Sequence, residues 1–242
     1  FGAGSRAIVI ERQMGGGLAT TVTDLDLADG AVIDWIVLQE RDETAVQLGQ
    51  VNARLGADAK LSLWLLNEGG KLVRQEAHVR SAGEGSSFRL RGVNLIAGDS
   101  HVDVTMTLTH EVENTDSTAV VRNVVTGRGE GAFQGMIRVA PAAQKTDARM
   151  ACNTLLLSDE ASFSAKPELE IFADDVACGH GATVAEIDRN LLFYLMARGI
   201  PEKEARGLLV KAFVAELIEE IEDEALVEAF EDRLSAWFTA HG

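Results

Sequence analysis

The feature that most constrains this chain is a series of short segments in which apolar and polar residues alternate, from Ala7 to about Phe172. In His101–Val112, valine, methionine and leucine take one set of alternate positions, and aspartate, threonine and histidine mostly take the other. A period of two gives each strand one buried and one solvated face. No long helical pattern lies between these segments, so parallel strands joined by crossover helices are excluded.

The alternating segments return at a spacing that fits a repeat. The clearest are Ala7–Glu11, Ala31–Glu40, Lys60–Glu68, Ser87–Ile96, His101–Val112, Phe133–Ala140 and Leu169–Ala173. Between them lie turns rich in Gly, Asp, Asn and Ser, which tolerate positive φ or bond their own backbone. Many turns recur after about two dozen residues, within the range of known repeat units. Two architectures fit this pattern, an antiparallel sandwich and a coil of stacked rungs.

The pattern changes between Lys166 and Gly199, and after this stretch the apolar residues recur at helical spacing. We therefore divide the chain into a β domain, 1–180, and a helical domain, 181–242. Three helices are predicted, at Asp188–Arg198, Pro201–Ile221 and Glu224–Thr239. Asp188 and Asp223 are the expected N-caps, and Gly199 is the expected C′ residue of the first helix.

The second predicted helix is apolar around nearly its whole circumference between Leu208 and Ile218. Such a helix must be buried on more than one side. We expect one side to pack on the first and third helices, and the second side to be covered by the rungs, by residues that precede this sequence, or by a partner. The alternative is an ordinary central helix of a small bundle. The acidic run over 216–224 is interpreted as a solvated face, with contact to basic residues of a partner as the alternative. We expect the rungs not to depend on this tail, because each rung contacts only its neighbours.

Composition excludes several classes of function. A net charge of −16 disfavours nucleic-acid binding. No apolar run is long enough to span a bilayer. Two cysteines do not make a disulfide framework, so we predict a reducing, cytoplasmic setting without a signal peptide. The chain begins at Phe1 with a strand pattern from Ala7, so we expect a fragment or an engineered form of a longer protein.

The most concentrated chemistry lies in a Cys-x-His pair, Cys178 and His180, set between Gly179 and Gly181. We expect these residues on an exposed, flexible turn. Thiolate and imidazole suit zinc, iron and iron–sulfur clusters. A closed metal site needs about four ligands, and no others lie nearby in the sequence. We therefore expect no stably bound cofactor.

Other candidates are weaker. Cys152 is interpreted as a small buried hydrophobe. The pairs Asp24/Asp26 and Asp174/Asp175 are the carboxylates that glycoside chemistry would use, but acidic pairs in turns are usually solvated. The two glycine-rich segments, 15–17 and 127–131, lack the Lys-Ser/Thr and the helix of a phosphate loop.

The residues around Cys178 resemble a known family. PELEIFADDV, then C-x-HGATV, then DRNLLFYLMARGI resemble the C-terminal signature of SufD subunits in the SufB/SufD family of the SUF iron–sulfur cluster assembly system. GAFQGMIRVAP (131–141) and AAQKTDARMACNTLLLSDEA (142–161) also resemble it. The resemblance extends over nearly the whole chain. The chain departs from the family pattern at two points. Family members read Lys-Cys-Ser-His where this chain reads Ala177-Cys178-Gly179-His180. The family's N-terminal helical region is absent from the sequence given.

The resemblance implies a mainly β fold, a right-handed parallel β-helix of stacked rungs followed by a small C-terminal α-helical domain. It implies a non-enzymatic scaffold that pairs with a SufB-like subunit, with a homodimer possible in isolation. His180, and less firmly Cys178, would serve cluster assembly at that interface, where a transient iron–sulfur cluster passes. A SufC-like ABC ATPase would dock on the helices. The docking residues would be Arg198, Gly199, Ile200, Pro201, Glu204, Ala205 and Leu208.

Two other functions remain open from the residues alone. One is a β-helix carbohydrate-active enzyme, which the missing signal peptide and the 5% aromatic content disfavour. The other is a structural β-solenoid that only self-associates. Co-purification with SufB-like and SufC-like proteins would favour the scaffold, and stabilisation by a sugar would favour the enzyme.

Overall fold

The computed structural model describes residues 1–218, 220–221 and 223–241. In these residues thirteen β-strands precede three α-helices. The strands are β1 Arg6–Gly15, β2 Leu18–Leu27, β3 Val32–Arg41, β4 Val46–Leu55, β5 Lys60–Glu68, β6 Leu72–Ser81, β7 Ser87–Ile96, β8 His101–His110, β9 Asp116–Val125, β10 Glu130–Val139, β11 Asp147–Leu156, β12 Ser162–Ile171 and β13 Ala177–Glu186. The helices are α1 Arg189–Met196, α2 Glu202–Ile218 and α3 Glu224–His241.

Successive strands alternate between two sheets. The odd sheet contains β1-β3-β5-β7-β9-β11-β13 and the even sheet contains β2-β4-β6-β8-β10-β12, each in spatial order. All neighbouring strands are parallel, and paired residues lie from 26 positions apart (Arg6 and Val32) to 32 apart (Glu130 and Ser162). The chain is therefore a parallel β-helix with two strands per rung, as the resemblance implied, and the antiparallel sandwich is wrong.

Six strands were not named among the clearest segments of the sequence: β2, β4, β6, β9, β11 and β13. β4 shows the reason, because its buried alternate positions include Gln47 and Gly49, while Leu48 is exposed on the outer face. Gln47 is satisfied by Arg41 Nε at 2.8 Å and by Thr21 Oγ1 at 3.0 Å. A strand of this kind is stabilised by pairing with the strands of the neighbouring rungs. The alternation of apolar and polar residues in its own sequence is therefore a poor predictor of its strand conformation.

The corners that lead from the even sheet back to the odd sheet repeat one backbone conformation. Gly30, Asp58, Gly85, Asn114 and Lys145 all have a positive φ between 53° and 73°. Each donates its backbone N–H to a carbonyl of the next rung, as Gly30 does to Ala57 at 2.8 Å. The Gly, Asp and Asn residues at these corners are the types that adopt this conformation at low cost. The corners thus set the register in which the rungs stack.

The helices α1 and α3 begin as their capping residues predict, whereas α1 and α2 end earlier than expected. Asp188 Oδ1 accepts hydrogen bonds from the N–H groups of Asn190 and Leu191, at the start of α1. Asp223 Oδ1 caps α3 in the same way, through Ala225 and Leu226 at 2.9 and 3.1 Å. α2 ends at Ile218, short of the predicted Ile221. α1 is also shorter than predicted, ending at Met196.

The second side of α2 is covered by the outer face of the odd sheet. Val210, Val214 and Leu217 of α2 and Trp237 of α3 belong to one apolar cluster with nine residues of the body. Those nine are Ile36, Leu38, Trp64, Leu66, Val93, Leu95, Val124, Leu155 and Ile187. The expectation that the rungs do not depend on the tail stays a prediction. Removing α2 and α3 would expose this face to water, at a cost in stability.

The acidic run after α2 is not simply a solvated face. Glu216 and Glu220 form ion pairs with Arg122 and Arg91 of the odd sheet. Glu219 and Glu222 lie outside the described residues. The sequence could not show this, because the arginines are 94 and 129 positions away.

The position chosen between 180 and 181 as a domain boundary lies inside β13, which continues to Glu186. The division into two domains remains a prediction. No helix within the described residues is long and apolar enough to cross a membrane.

Candidate functional site at the open end of the β-helix

Cys178 and His180 lie on β13, the last strand of the odd sheet, and not on the flexible turn that their glycine neighbours suggested. Cys178 pairs with Ala148 of β11, and His180 pairs with Met150. Neither Gly179 nor Gly181 has a positive φ, and a Cβ at either would meet nothing within 4 Å. The extended conformation of this segment is imposed by the β11 ladder, and the glycines leave open space beside the strand.

The side chains of Cys178 and His180 point towards the inside of the β-helix. Their partners on β11, Ala148 and Met150, belong to the core between the sheets, and register places side chains of paired residues on the same face. Since β13 is the last strand of the odd sheet within the described residues, none of the described rungs covers them. His180 is consequently exposed and Cys178 is half-buried.

The backbone of β13 is also open at this edge. Ala177 donates its N–H to Thr146 O at 2.9 Å. The backbone N–H and C=O groups of the odd-numbered residues of β13 therefore point towards β11. Backbone groups alternate in direction along a strand, so the N–H and C=O groups of Cys178, His180 and Ala182 face the free edge. The same residues that present unpaired backbone groups therefore point their side chains inwards.

The neighbouring edge of the even sheet differs. Ser162 and Phe172 donate their N–H groups to Gly129 O and Val139 O. The backbone groups of the odd-numbered residues of β12 therefore point towards the free edge of the even sheet. One of these is Pro167, which has no N–H to offer. Of the two strands at this end, β13 is thus the one with a full set of donors and acceptors for another strand.

The side chains at this end that could coordinate a soft metal are a thiol and an imidazole. Burial raises the pKa of the Cys178 thiol, so the proton is held at neutral pH until a metal or a base displaces it. Among the described residues no group of three or more His, Cys, Asp and Glu side chains could hold a metal ion. Cys178 and His180 are two such side chains, fewer than the four ligands that a closed site uses.

The other candidates have structural roles. Cys152 is fully buried, its Sγ lies 3.4 Å from Asn123 Nδ2, and burial raises the pKa of its thiol to about 12. It is a core residue, as predicted, and both cysteines are free. Asp24 accepts a hydrogen bond from Asn52 at 2.7 Å, and Asp175 pairs with Lys145.

Sequence reasoning missed a ladder of buried amides inside the rungs. Asn67 donates to Asn94 at 2.7 Å, Asn94 donates to Asn123 at 2.6 Å, and Asn123 donates to Thr154 Oγ1 at 3.1 Å. Thr154 pairs with Val184 of β13, so the ladder reaches the open end. The sequence contained a sign of this ladder, because the three asparagines recur at the spacing of the rungs.

The predicted docking residues form a rigid corner between α1 and α2. Gly199 has φ +85° and donates to Met196 O at 2.9 Å, and the Arg198 guanidinium stacks 3.6 Å from the Tyr194 ring centroid. Pro201, Glu204 and Leu208 line a groove of about 480 Å³ against α3. Ile200 is half-buried beside them, and Ala205 is fully buried, so Ala205 supports the corner from inside.

Beside this corner lies an apolar surface that the sequence analysis did not single out. α1 has no buried residue, and it exposes Leu191, Phe193, Tyr194 and Met196 by 53%, 72%, 52% and 41%. The signal was the mostly apolar composition of the helix, with few polar residues to form a solvated face. Contiguous exposed apolar side chains of this kind are a common feature of interaction surfaces.

Together these features define a class of protein, a parallel β-helix that presents a thiol and an imidazole on an open edge strand and carries an exposed apolar helix beside it. Residues 1–213 match the family model described as SUF system FeS cluster assembly, SufBD core domain. The chain belongs to the SufBD family.

Three relatives illustrate the family. The chain is 38% identical over 158 residues to the iron–sulfur cluster assembly protein SufD of Escherichia coli K12, covering 65% of this chain and 37% of the relative. It is 28% identical over 204 residues to a SufBD family protein of Synechocystis sp., covering 83% and 44%. It is 31% identical over 194 residues to the chloroplastic protein ABCI7 of Arabidopsis thaliana, covering 78% and 41%. The chain thus spans less than half the length of these relatives.

Proposed function

We propose that this chain is a non-enzymatic scaffold subunit of a SUF iron–sulfur cluster assembly complex and that it pairs with a SufB-like subunit through β13. The observation that carries the proposal is the placement of Cys178 and His180 on the inward face of a strand whose outer edge is unpaired. The family membership and the name of the Escherichia coli relative support the assignment to cluster assembly.

A strand added to this edge would complete the site. The residue opposite His180 on the added strand points to the same face, with its Cα about 5 Å away. A thiolate at that position would lie beside the imidazole and the Cys178 thiol. The iron–sulfur cluster is the cargo of this interface, and it would be held while the two subunits are paired. The same edge is available to a second copy of the chain, which is the homodimer expected in isolation.

We further propose that a SufC-like ABC ATPase docks on the corner between α1 and α2, and that the protein works in the reducing cytoplasm. The exposed apolar residues of α1, together with the groove at Pro201 and Leu208, support the docking surface. The two free cysteines support the reducing setting.

The test is affinity purification of the full-length protein from its own host, followed by iron and sulfide analysis of the complex. We expect SufB-like and SufC-like proteins to co-purify, and we expect His180→Ala to keep the partners but lose assembled cluster. His78→Ala is the control, because His78 lies on the outer face of the even sheet and pairs with Glu76. Recovery of the protein with neither a SufB-like nor a SufC-like partner would refute the proposal. Normal iron and sulfide content in the complex that contains His180→Ala would refute it as well.

A further inference from the structure

The outer face of the edge strand β13 carries a single polar side chain. The residues on this face are Ala177, Gly179, Gly181, Thr183 and Ala185. Thr183 pairs with Asn153 of β11, and Asn153 Nδ2 donates to Thr183 Oγ1 at 2.8 Å. Glycine loses more backbone freedom on ordering than any other residue, and an edge strand is paired on one side only. This hydrogen bond therefore supports the strand where its own sequence supports it least.

Asn153 is held in one orientation by an arginine of β9. Arg122 Nη1 donates to Asn153 Oδ1 at 2.6 Å. A guanidinium has donors and no acceptor, so the Asn153 amide turns its oxygen towards Arg122 and its NH2 group towards Thr183. Because the donor is charged, this is the stronger of the two hydrogen bonds, and it fixes the direction of the weaker one.

Arg122 is in turn held by α2. Its Nη2 donates to Glu216 at 2.7 Å, and its guanidinium carbon lies 5.0 Å from the centroid of the Phe213 ring. The Arg122 side chain is only 16% exposed. A continuous series of contacts thus leads from α2 through Arg122 and Asn153 to Thr183, which lies three residues after His180.

We propose that Asn153 is a positioning residue for the site on β13. Its hydrogen bond to Thr183 keeps this glycine-rich strand extended against β11, and an extended strand is what directs Cys178 and His180 inwards and their backbone groups to the free edge. The inference rests on the proposed function in one respect, that β13 is the strand that pairs with a partner.

The test is hydrogen–deuterium exchange of the chain alone, followed by mass spectrometry of peptides from β13 and β5. Thr183→Val keeps the shape of the side chain and removes the acceptor. We expect the β13 peptide of this variant to exchange about threefold faster than that of the parent. Thr183 is exposed, so global stability should not change, and the β5 peptide should exchange at the parent rate.

Thr183→Ser is the matched control, because serine keeps the hydroxyl group. Its β13 peptide should exchange more slowly than that of Thr183→Val. Strand propensity alone predicts the reverse order, since valine favours strands and serine does not. Exchange of β13 at the parent rate in Thr183→Val, or faster exchange in Thr183→Ser than in Thr183→Val, would overturn the proposal.

A second variant tests Asn153 itself. Asn153→Ala should also accelerate exchange of β13, and adding Thr183→Val to it should produce no further acceleration, because both substitutions break the same contact. Multiplied effects in the double variant would overturn the proposal.

The proposed pairing is tested separately, by adding a SufB-like subunit to the parent chain. Pairing should protect the amides of Cys178, His180 and Ala182, which face the free edge. Absence of this protection would refute the proposed pairing, whereas the role of Asn153 is decided by the variants without a partner.

Discussion

Met150 and His180 are partners in the β11–β13 ladder, and the imidazole stands one rung beyond a thioether that is 3% exposed. His180 thus continues a column of core side chains into a position that no rung follows in the part of the chain that the structure describes. A residue there contributes little to the packing of this chain. It is available to whatever pairs with β13.

His180→Ala should therefore leave the fold intact and impair cluster assembly. The imidazole is exposed, so the free energy of unfolding should change by less than about 0.5 kcal/mol. Urea unfolding measures the first effect, and activity of an iron–sulfur reporter enzyme in a deletion strain measures the second. A variant that unfolds would show that His180 is a structural residue, and full complementation would remove it from the site.

Ala182→Pro should abolish strand pairing without unfolding the chain. The N–H of Ala182 faces the free edge, so proline removes no hydrogen bond of the β11 ladder, as Pro167 removes none from the β10–β12 ladder. Thr20→Pro makes the same change at the free edge of β2 and is the control. Sedimentation velocity of each variant, alone and with a SufB-like subunit, measures association. Wild-type association of Ala182→Pro would place the interface elsewhere.

Phe193→Asp should weaken docking of a SufC-like ATPase by a few kcal/mol, about 2 or more if Phe193 is a hot spot. Phe193 is 72% exposed, so the substitution should not harm the fold. Leu18→Asp, at a residue of β2 that is 70% exposed, is the matched control. Calorimetric titration gives both affinities. Point substitutions replace deletion of 201–242, because that deletion would also strip the outer face of the odd sheet. Equal affinity for Phe193→Asp and the parent would exclude α1 from the docking surface.

Stability should fall as the pH drops from about 6.5 to 4, in part because of His110. This histidine is fully buried, its ring nitrogens lie 2.8 Å from Thr115 Oγ1 and 3.0 Å from Ser117 Oγ, and burial lowers its pKa to about 4. The unfolded chain binds a proton below pH 6.5 that the folded chain refuses until about pH 4. The free energy of unfolding therefore decreases across this window, by about 3 kcal/mol from this residue.

The measurement is urea unfolding at several pH values for the parent and for His110→Gln. The variant starts from a lower stability, so the slope with pH is the quantity compared. We expect a shallower slope between pH 6.5 and 4 in the variant. Parallel curves would mean that other groups account for the whole dependence.

Gly83→Ala should destabilise the β-helix, by about 3 kcal/mol, because a Cβ there would overlap the backbone of Gly56 and Ala57 in the preceding corner. Gly181→Ala should be tolerated, since a Cβ there meets nothing within 4 Å. Thermal unfolding of the two variants compares them. If Gly83→Ala is as stable as the parent, the corners do not stack as tightly as described.

Much of the local structure was predictable from neighbouring residues. β5 and β7 have the predicted bounds, and Asp188 and Asp223 cap their helices as expected. These features depend on side-chain alternation and on hydrogen bonds between residues two or three positions apart. The positive φ at Gly199, after the end of α1, was predictable for the same reason, because glycine adopts that conformation at low cost.

By itself, then, the sequence determined the alternating strands, the turns and the capped helices, and its motif identified the residues of the open end. The tertiary structure alone decided that Cys178 and His180 lie on an edge strand facing inwards, and that Glu216 and Glu220 are paired. A parallel rung takes its hydrogen bonds from residues 26 to 32 positions away, so β11 makes a strand of a glycine-rich segment that alone would be a turn. Likewise Arg91 meets Glu220 across 129 positions, a distance that no local pattern reports.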